Sequence, residues 1–248
     1  MAPRVVVVSL ASDFGCQLQM TNIEDQLLDI LGRIDLTYWQ LVSSGHMPED
    51  YDVAIIEGSV TTPDHIELLT RVRSVAGTVI AVGACALTGG IPALVCEEGC
   101  EAHAERVYSD DVPPRAREAI APRSVTSVID VDYVVPGCPI DEQEYVGVLS
   151  RALLGLADRT PIEPMCSQCK TNENVCFFER DEICLGVVTR SGCGARCVGL
   201  GRPCTGCRGL APDANLESAH EVFAAHGHDL DDVLATNRLY NSSEKVAT

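Results

Sequence analysis

The sequence predicts an α/β protein: a doubly wound parallel sheet, followed by a segment that apolar packing alone cannot fold. Three observations predict this. Short, largely β-branched runs alternate with helical patterns through residue 156, as a parallel sheet with crossover helices requires. Three loops that follow such runs carry a cysteine with a glycine one or two residues before it. Eight of the thirteen cysteines then crowd between Cys166 and Cys207, among many glycines and few large apolar side chains.

Val5 to Leu10 is short and almost wholly apolar, the pattern of a strand buried on both faces. Thr21 and Glu24 have the spacing of a capping box, and Ile23, Leu27, Ile30 and Leu31 form the apolar face of the helix expected there. Ile34 to Leu41 and Val53 to Ile56 read as the second and third strands, the latter running into Glu57-Gly58-Ser59. Pro63 suits a first helical position, and Ile66, Leu69 and Val72 carry the apolar face to about Val75. Thr78 to Val82 is the fourth strand, and Gly89-Gly90-Ile91-Pro92 a turn. From about Val95 to Ser127 the chain is polar and interrupted by proline, an excursion without clear elements. Val131 to Val135 is the fifth strand, and a helix follows from Asp141 to about Leu156. Asp158 to Pro164, with two prolines, reads as a linker. After the cysteine-rich segment, a helix is expected over Leu216 to Ala225, a shorter one from Asp231-Asp232, and a frayed tail from Asn241 to Thr248.

Composition limits the function classes. A net charge of −18 argues against nucleic acid as a partner. The opening residues lack a secretory pattern, and no apolar stretch reaches the roughly 18 residues that span a bilayer. A cytoplasmic protein without a membrane span is expected. In a reducing compartment, cysteines at these spacings favour metal binding over disulfides.

Asp13-Phe14-Gly15-Cys16, Gly83-Ala84-Cys85 and Pro136-Gly137-Cys138-Pro139 follow strands one, four and five. Ligands in open α/β sheets bind at the carboxyl ends of strands. Three sulfurs there leave a four-coordinate site one ligand short, and Asp13 stands three residues before Cys16, where the first cysteine of a C-x-x-C pair would be. A lone buried cysteine is more often a small hydrophobe, so shared placement carries this reading. Cys96 and Cys100 have ligand-like spacing but no such placement, and no role is assigned to them. In the tail, Cys166-Ser167-Gln168-Cys169 opens the run and Cys204-Thr205-Gly206-Cys207 closes it.

Read together and in order, these motifs, with Ile55-Ile56-Glu57-Gly58-Ser59 and Ala86-Leu87-Thr88-Gly89-Gly90, resemble the small subunit of nickel–iron hydrogenases. The resemblance covers nearly the whole chain and is strongest to the cytosolic group 3 branch of sulfhydrogenase delta and F420-reducing hydrogenase gamma subunits. It implies a flavodoxin-like domain over 1–157, a ferredoxin-like two-cluster segment over 158–211, and a short C-terminal helix and tail over 212–248. It implies three 4Fe–4S clusters. Asp13, Cys16, Cys85 and Cys138 would hold the proximal one; many relatives have cysteine where Asp13 stands. Cys166, Cys169, Cys176 and Cys184 would hold a second, and Cys193, Cys197, Cys204 and Cys207 a third. Membrane-associated relatives have proline at the position of Cys197 and a three-iron cluster, so Cys197 implies a full 4Fe–4S. The implied partners are a nickel–iron large subunit, which holds the active site, and flavin or iron–sulfur electron-carrier subunits. The implied role is electron relay to NAD(P), F420 or a similar acceptor.

Two other readings use the same residues. A zinc-stapled binding module suits the C-x-x-C pairs but leaves Cys16, Cys85 and Cys138 unexplained. An FMN-binding protein would place Asp13, of the wrong charge, where a phosphate must sit. Glu57 at the end of strand three suits proton movement or electrostatic tuning, and equally a loop-fixing hydrogen bond. Asp13 could also simply cap the segment after it.

Overall fold

Four consecutive valines, Val5 to Val8, are buried on both faces of strand β1 (Arg4–Ser9). The computed structural model describes residues 2–23, 25–109 and 111–243. After β1 come helix α1 (Gly15–Thr21), helix α2 (Asp25–Leu31) and strand β2 (Asp35–Trp39). Strand β3 (Val53–Glu57), helix α3 (Pro63–Val75), strand β4 (Thr78–Val82) and helix α4 (Gly83–Thr88) follow. A 3-10 turn at Ile91–Glu97, helix α5 (Cys100–Tyr108) and helix α6 (Pro114–Arg117) lead to strand β5 (Tyr133–Val135) and helix α7 (Glu142–Leu153). The strands form one parallel sheet in the order β2-β1-β3-β4-β5, with Val5 beside Val53, Ile55 beside Ile80 and Val82 beside Val135. This is the doubly wound, flavodoxin-like order.

Alternation along the strands builds two apolar layers. Val5, Val7, Ile55, Ile80, Val82 and Val135 pack against Met20 of α1 and Tyr145, Val148 and Leu149 of α7. Val6, Val8, Ala54, Ile56, Val79 and Ala81 pack against Leu69 and Val72 of α3. Helix α3 starts where expected because the Thr62 side chain accepts from the His65 N–H and Pro63 needs no partner for its nitrogen.

The cysteine-rich segment contains helix α8 (Cys166–Thr171), 3-10 turns at Phe177–Arg180 and Leu185–Val187, and helix α9 (Arg196–Gly199). Its small core includes the cysteines: Cys184 and Cys204 are buried with Met165, Phe177, Ala195 and Val198, and Cys169 and Cys193 pack against them. The stretch over 158–164 is held at several points. Thr160 Oγ1 donates to Val134 O at 3.1 Å, and Ser191 N–H donates to Glu163 O at 2.9 Å.

Several sequence expectations need correction. Thr21 ends α1 instead of capping a helix, and its Oγ1 donates back to Leu18 O at 2.7 Å. Glu24 lies outside the described residues. The expected face splits: Ile23 is buried before α2, Ile30 packs on the sheet core, and Leu31 is exposed. The polar excursion contains α5, which buries none of its residues and so leaves no strong apolar period in the sequence. The second C-terminal helix is longer than expected. Helix α10 (Leu216–Ala225) is where expected, but helix α11 (Leu230–Asn241) runs for 12 residues. Asn241 is buried, and its Nδ2 donates to Gly206 O at 3.2 Å. Thr88 Oγ1 of α4 donates to Tyr240 O at 2.6 Å, tying α11 to the sheet domain. The last part of the expected tail, 244–248, lies outside the described residues. Among the described residues no helix is long and apolar enough to cross a membrane.

Leu69 is wholly buried between α3 and the sheet. Leu69→Ala is expected to lower unfolding stability by about 2–5 kcal/mol. Denaturant titration with helix content as the readout checks this, and a change near zero would mean that α3 does not hold the layer.

Candidate functional site

The chain leaves β1 toward β2 on one side and returns to β3 on the other, so the carboxyl ends of β1 and β3 flank a crevice. Asp13 Oδ1 accepts the Gly15 N–H at 2.9 Å, and Phe14 adopts left-handed φ 62. This turn starts α1 at Gly15 and sets Cys16 in its first turn. Glu57, at the end of β3, is 1% exposed. Its Oε1 accepts the Cys16 N–H at 3.1 Å, and its Oε2 accepts Gln17 Nε2 at 2.6 Å. Trp39 Nε1 holds the other end of the Gln17 amide, donating to Oε1 at 2.5 Å. Glu57 therefore fixes the loop that presents Cys16, and burial raises its pKa above the usual carboxylate range.

Cys85 lies on α4, directly after β4, and Cys138 follows β5 ahead of a cis peptide to Pro139. Two glycines make room for this gathering. A methyl group on Gly83 would lie 2.5 Å from Cys16 Sγ, and one on Gly90 would lie 2.9 Å from Cys85 Sγ.

Electrostatics show which groups face one another. Burial pushes the Cys85 thiol up to about 12, and Cys138, Glu57 and Asp13 add to the rise. Burial and then Glu57, with smaller effects of Cys138 and Cys85, push Cys16 up further. Burial, Asp13 and Glu57 raise Cys138. Thus Asp13, Cys16, Cys85 and Cys138 come together at the sheet edge, although Asp13 and Cys138 are exposed.

The tail sulfurs gather in the same way. Burial raises Cys166 to about 11, and Cys184, Cys169 and Cys176 act on it in that order. Burial raises Cys207 to about 11, with Cys193 and Cys197 among the contributors. Cys204 lies where the two groups meet: burial raises it to about 12, and both Cys184 and Cys207 act on it. The Cys204 N–H donates to Cys184 Sγ at 3.3 Å.

Backbone N–H groups favour the thiolate form at several of these positions. Ile140 serves Cys16, Ile91 serves Cys85, Gly186 serves Cys184 and Gly206 serves Cys204. The Cys138 N–H likewise favours the Cys207 thiolate, so the strand-end loop lies beside the tail there. Next to that contact lies a group the sequence reading missed. The Arg208 side chain is 2% exposed and pairs through both terminal nitrogens with Glu144, at 2.7 Å each. Residues 64 positions apart leave no local pattern to find.

Cys96 and Cys100 do not join the strand-end set. Cys96 Sγ donates to Pro122 O at 3.6 Å, and Cys100 opens α5 beside a surface cleft with Glu101, Glu105 and Arg117.

Among the described residues, no three His, Cys, Asp or Glu side chains are arranged to hold a single metal ion. The donor chemistry fits iron–sulfur clusters. Soft thiolates bind iron–sulfur clusters, and backbone N–H groups directed at sulfur are among the levers that set cluster potential. Gly186 lies in this group: a methyl there would press on Met165 Cε at 2.8 Å and stand in ordinary contact, 3.6 Å, with both Cys166 Sγ and Cys184 Sγ.

Comparison with known proteins identifies the family. A family model described as NADH ubiquinone oxidoreductase, 20 Kd subunit, matches residues 14–152. The chain is 35% identical to sulfhydrogenase 2 subunit delta of Pyrococcus furiosus, over 88% of this chain and 90% of that one. It is 29% identical to a subunit of the F420-non-reducing hydrogenase of Methanococcus voltae, over 96% and 93%. It also matches a chain in the crystal structure of an NAD+-reducing NiFe-hydrogenase in the H2-reduced state. That match has a TM-score of 0.58 and 27% identity and covers 65% of this chain and 96% of that one.

Gly83→Ala, which drives a methyl group against Cys16 Sγ, is expected to lower the iron that the strand-end set would hold and to spare that of the eight-cysteine segment. Iron analysis of the purified variant checks this, and an undiminished load would mean that Cys16 is not confined there.

Proposed function

The chain belongs to the NADH ubiquinone oxidoreductase 20 kDa subunit family, on the branch of nickel–iron hydrogenase small subunits, and from that premise we propose that it relays electrons through three 4Fe–4S clusters. The relay runs between a nickel–iron large subunit, where H2 is oxidised or protons reduced, and an electron-carrier subunit serving NAD(P), F420 or a similar acceptor. Asp13, Cys16, Cys85 and Cys138 would hold the proximal cluster. Cys166, Cys169, Cys176 and Cys184 would hold the second, and Cys193, Cys197, Cys204 and Cys207 the third. The proposed units are 1–157 with the proximal site, 158–211 with the other two, and 212–248 as the C-terminal cover. A cytoplasmic location goes with this reading.

One observation carries the proposal. The loops of three separate strand ends converge at the switch-point edge: Cys16 Sγ lies against Gly83, the Ala84 N–H beside Cys85 donates to Gly137 O beside Cys138 at 2.7 Å, and Arg208, next to Cys207 of the tail, donates to Pro136 O at 2.8 Å. A zinc staple in the tail would leave that convergence without a purpose.

When bound, the clusters supply one-electron oxidation and reduction. The protein's own work is positional and electrostatic. Glu57 and Gln17 hold the Cys16 loop in place, and N–H groups of Ile140 and Ile91 stabilise thiolates at Cys16 and Cys85. Met20, Val7 and Val82 keep water from the inner side of the site. Its outer side is open: Asp13 and Cys138 are exposed, and Leu18 of α1 is 53% exposed. An iron–sulfur site exposed in this way requires a cover, and the large subunit is the proposed one.

Three outcomes are expected. Four irons for each of three sets give about 12 irons per chain in the anaerobically purified complex. About eight irons, two sets' worth, would remove the strand-end site, and zinc in place of iron would overturn the reading. Co-purification with the large subunit is expected through an interface of about 2,000 Å² or more. A chain that stays fully metallated and oxygen-stable alone would contradict it. Asp13→Cys should keep the strand-end cluster and lower its potential, because thiolate donates more electron density than carboxylate. Asp13→Ala should weaken that cluster alone, and an unchanged signal and potential would leave Asp13 as a turn-forming residue.

A further inference from the structure

The strand-end and tail sulfurs meet at one seam, and a buried ion pair fills it. Arg208 follows Cys207 directly. Its Nη1 donates to Pro136 O at 2.8 Å, two residues before Cys138, and to Glu144 Oε2 at 2.7 Å. Its Nη2 donates to Glu144 Oε1 at 2.7 Å. Its Nε is shared between Ser191 O at 3.0 Å and Arg190 O at 3.2 Å, just before Cys193. One guanidinium thus grips the loop that carries Cys138, the first turn of α7, and the segment that leads to Cys193. A lysine has neither the planar fork nor the number of donors to do this. The backbone is shaped around the pair as well. A methyl group on Gly192, whose φ is +124, would collide with Arg208 Nη2 and lie 2.9 Å from Glu144 Oε1.

Glu144 balances the charge of Arg208, and the effect of Arg208 on the Cys207 thiol ranks behind burial. The pair acts on separation and orientation. The Arg208 bond to Pro136 O holds the loop of Cys138 against the residue that follows Cys207, so the two sets are joined across one seam.

We propose that Arg208 is a positioning residue for electron passage: with Glu144 it clamps the strand-end sulfur set to the tail set, and electrons cross the seam that it holds closed. This rests on the reading of both sets as cluster ligands. One electron passes from the strand-end set to the Cys193, Cys197, Cys204 and Cys207 set. No bond forms or breaks, no proton moves, and Arg208 and Glu144 keep their charges.

The test compares the wild-type complex with Arg208→Lys, under anaerobic conditions, by electron paramagnetic resonance and rapid-mixing reduction. Two reduced clusters held close broaden each other's signals, and this readout is independent of turnover. The expected result for Arg208→Lys is full iron, loss of the mutual broadening and slower arrival of electrons at the tail set. Reduction of the strand-end set should be unaffected. Full iron with wild-type broadening and arrival would overturn the proposal. If Arg208→Lys loses tail iron, the double variant Arg208→Met with Glu144→Met decides, because it replaces a buried pair with apolar side chains and leaves neither charge stranded. Retained iron with lost broadening supports the clamp. Retained iron with wild-type broadening, or tail iron lost again, overturns it; in the second case Arg208 serves folding of the tail. A wild-type complex whose two sets are reduced but show no mutual broadening overturns the crossing and leaves the relay intact. The absence of any iron–sulfur signal in the wild type defeats the relay itself.

Discussion

Thiols buried beside other thiols cannot readily ionise, and most of this structure's special features follow from that constraint. Burial and neighbouring anions push Cys85 and Cys204 to about 12, far from the thiolate form a metal needs. Few cations offset this: Arg208 near Cys207 and Lys170 near Cys166 lower those thiols, but both effects rank behind burial. Backbone N–H groups aimed at sulfur supply part of the missing stabilisation. A cationic iron core would supply the rest, and metal loading would then be coupled to folding.

The sheet positions the site by topology. Residues from the ends of β1, β4 and β5 are distant in sequence but adjacent at the carboxyl edge, and the β1–β3 crevice takes the Cys16 loop and Glu57. Glu57 shows how firmly the loop is set. A carboxylate 1% exposed holds one backbone N–H and one amide, and the Gln17 amide is itself held by Trp39. The tail then docks on that edge through Cys207 and Arg208, and α11 closes over α4 through Thr88 and Tyr240.

Much of this was legible in the sequence where local chemistry decides. Thr78–Val82 is read to the residue and the helix from Pro63 to about Val75 is where expected, since a β-branched run and a proline at a first helical position each favour one conformation. The convergence of Cys16, Cys85 and Cys138 was legible from their shared place after strands. Helix α1 was not legible, because its N-cap is Phe14 in a left-handed conformation with no side-chain cap. The length of α11 was hidden because Asn237 and Asn241, polar residues that suggest a loop or an end, are buried on its inner face. The Arg208–Glu144 pair and the Gln17–Trp39 bond join distant positions, and no local pattern announces either.

As proposed, the sulfur sets of the sheet edge and the tail form one electron path. Mössbauer spectroscopy of the iron-labelled complex, before and after H2 is admitted, decides this. All of this chain's iron should lie in cubane clusters, one cluster should have an iron site distinct from its cysteine-bound neighbours, and H2 should reduce strand-end and tail clusters in the same sample. Iron confined to the tail, or tail clusters that stay oxidised while the strand-end cluster is reduced, would contradict it.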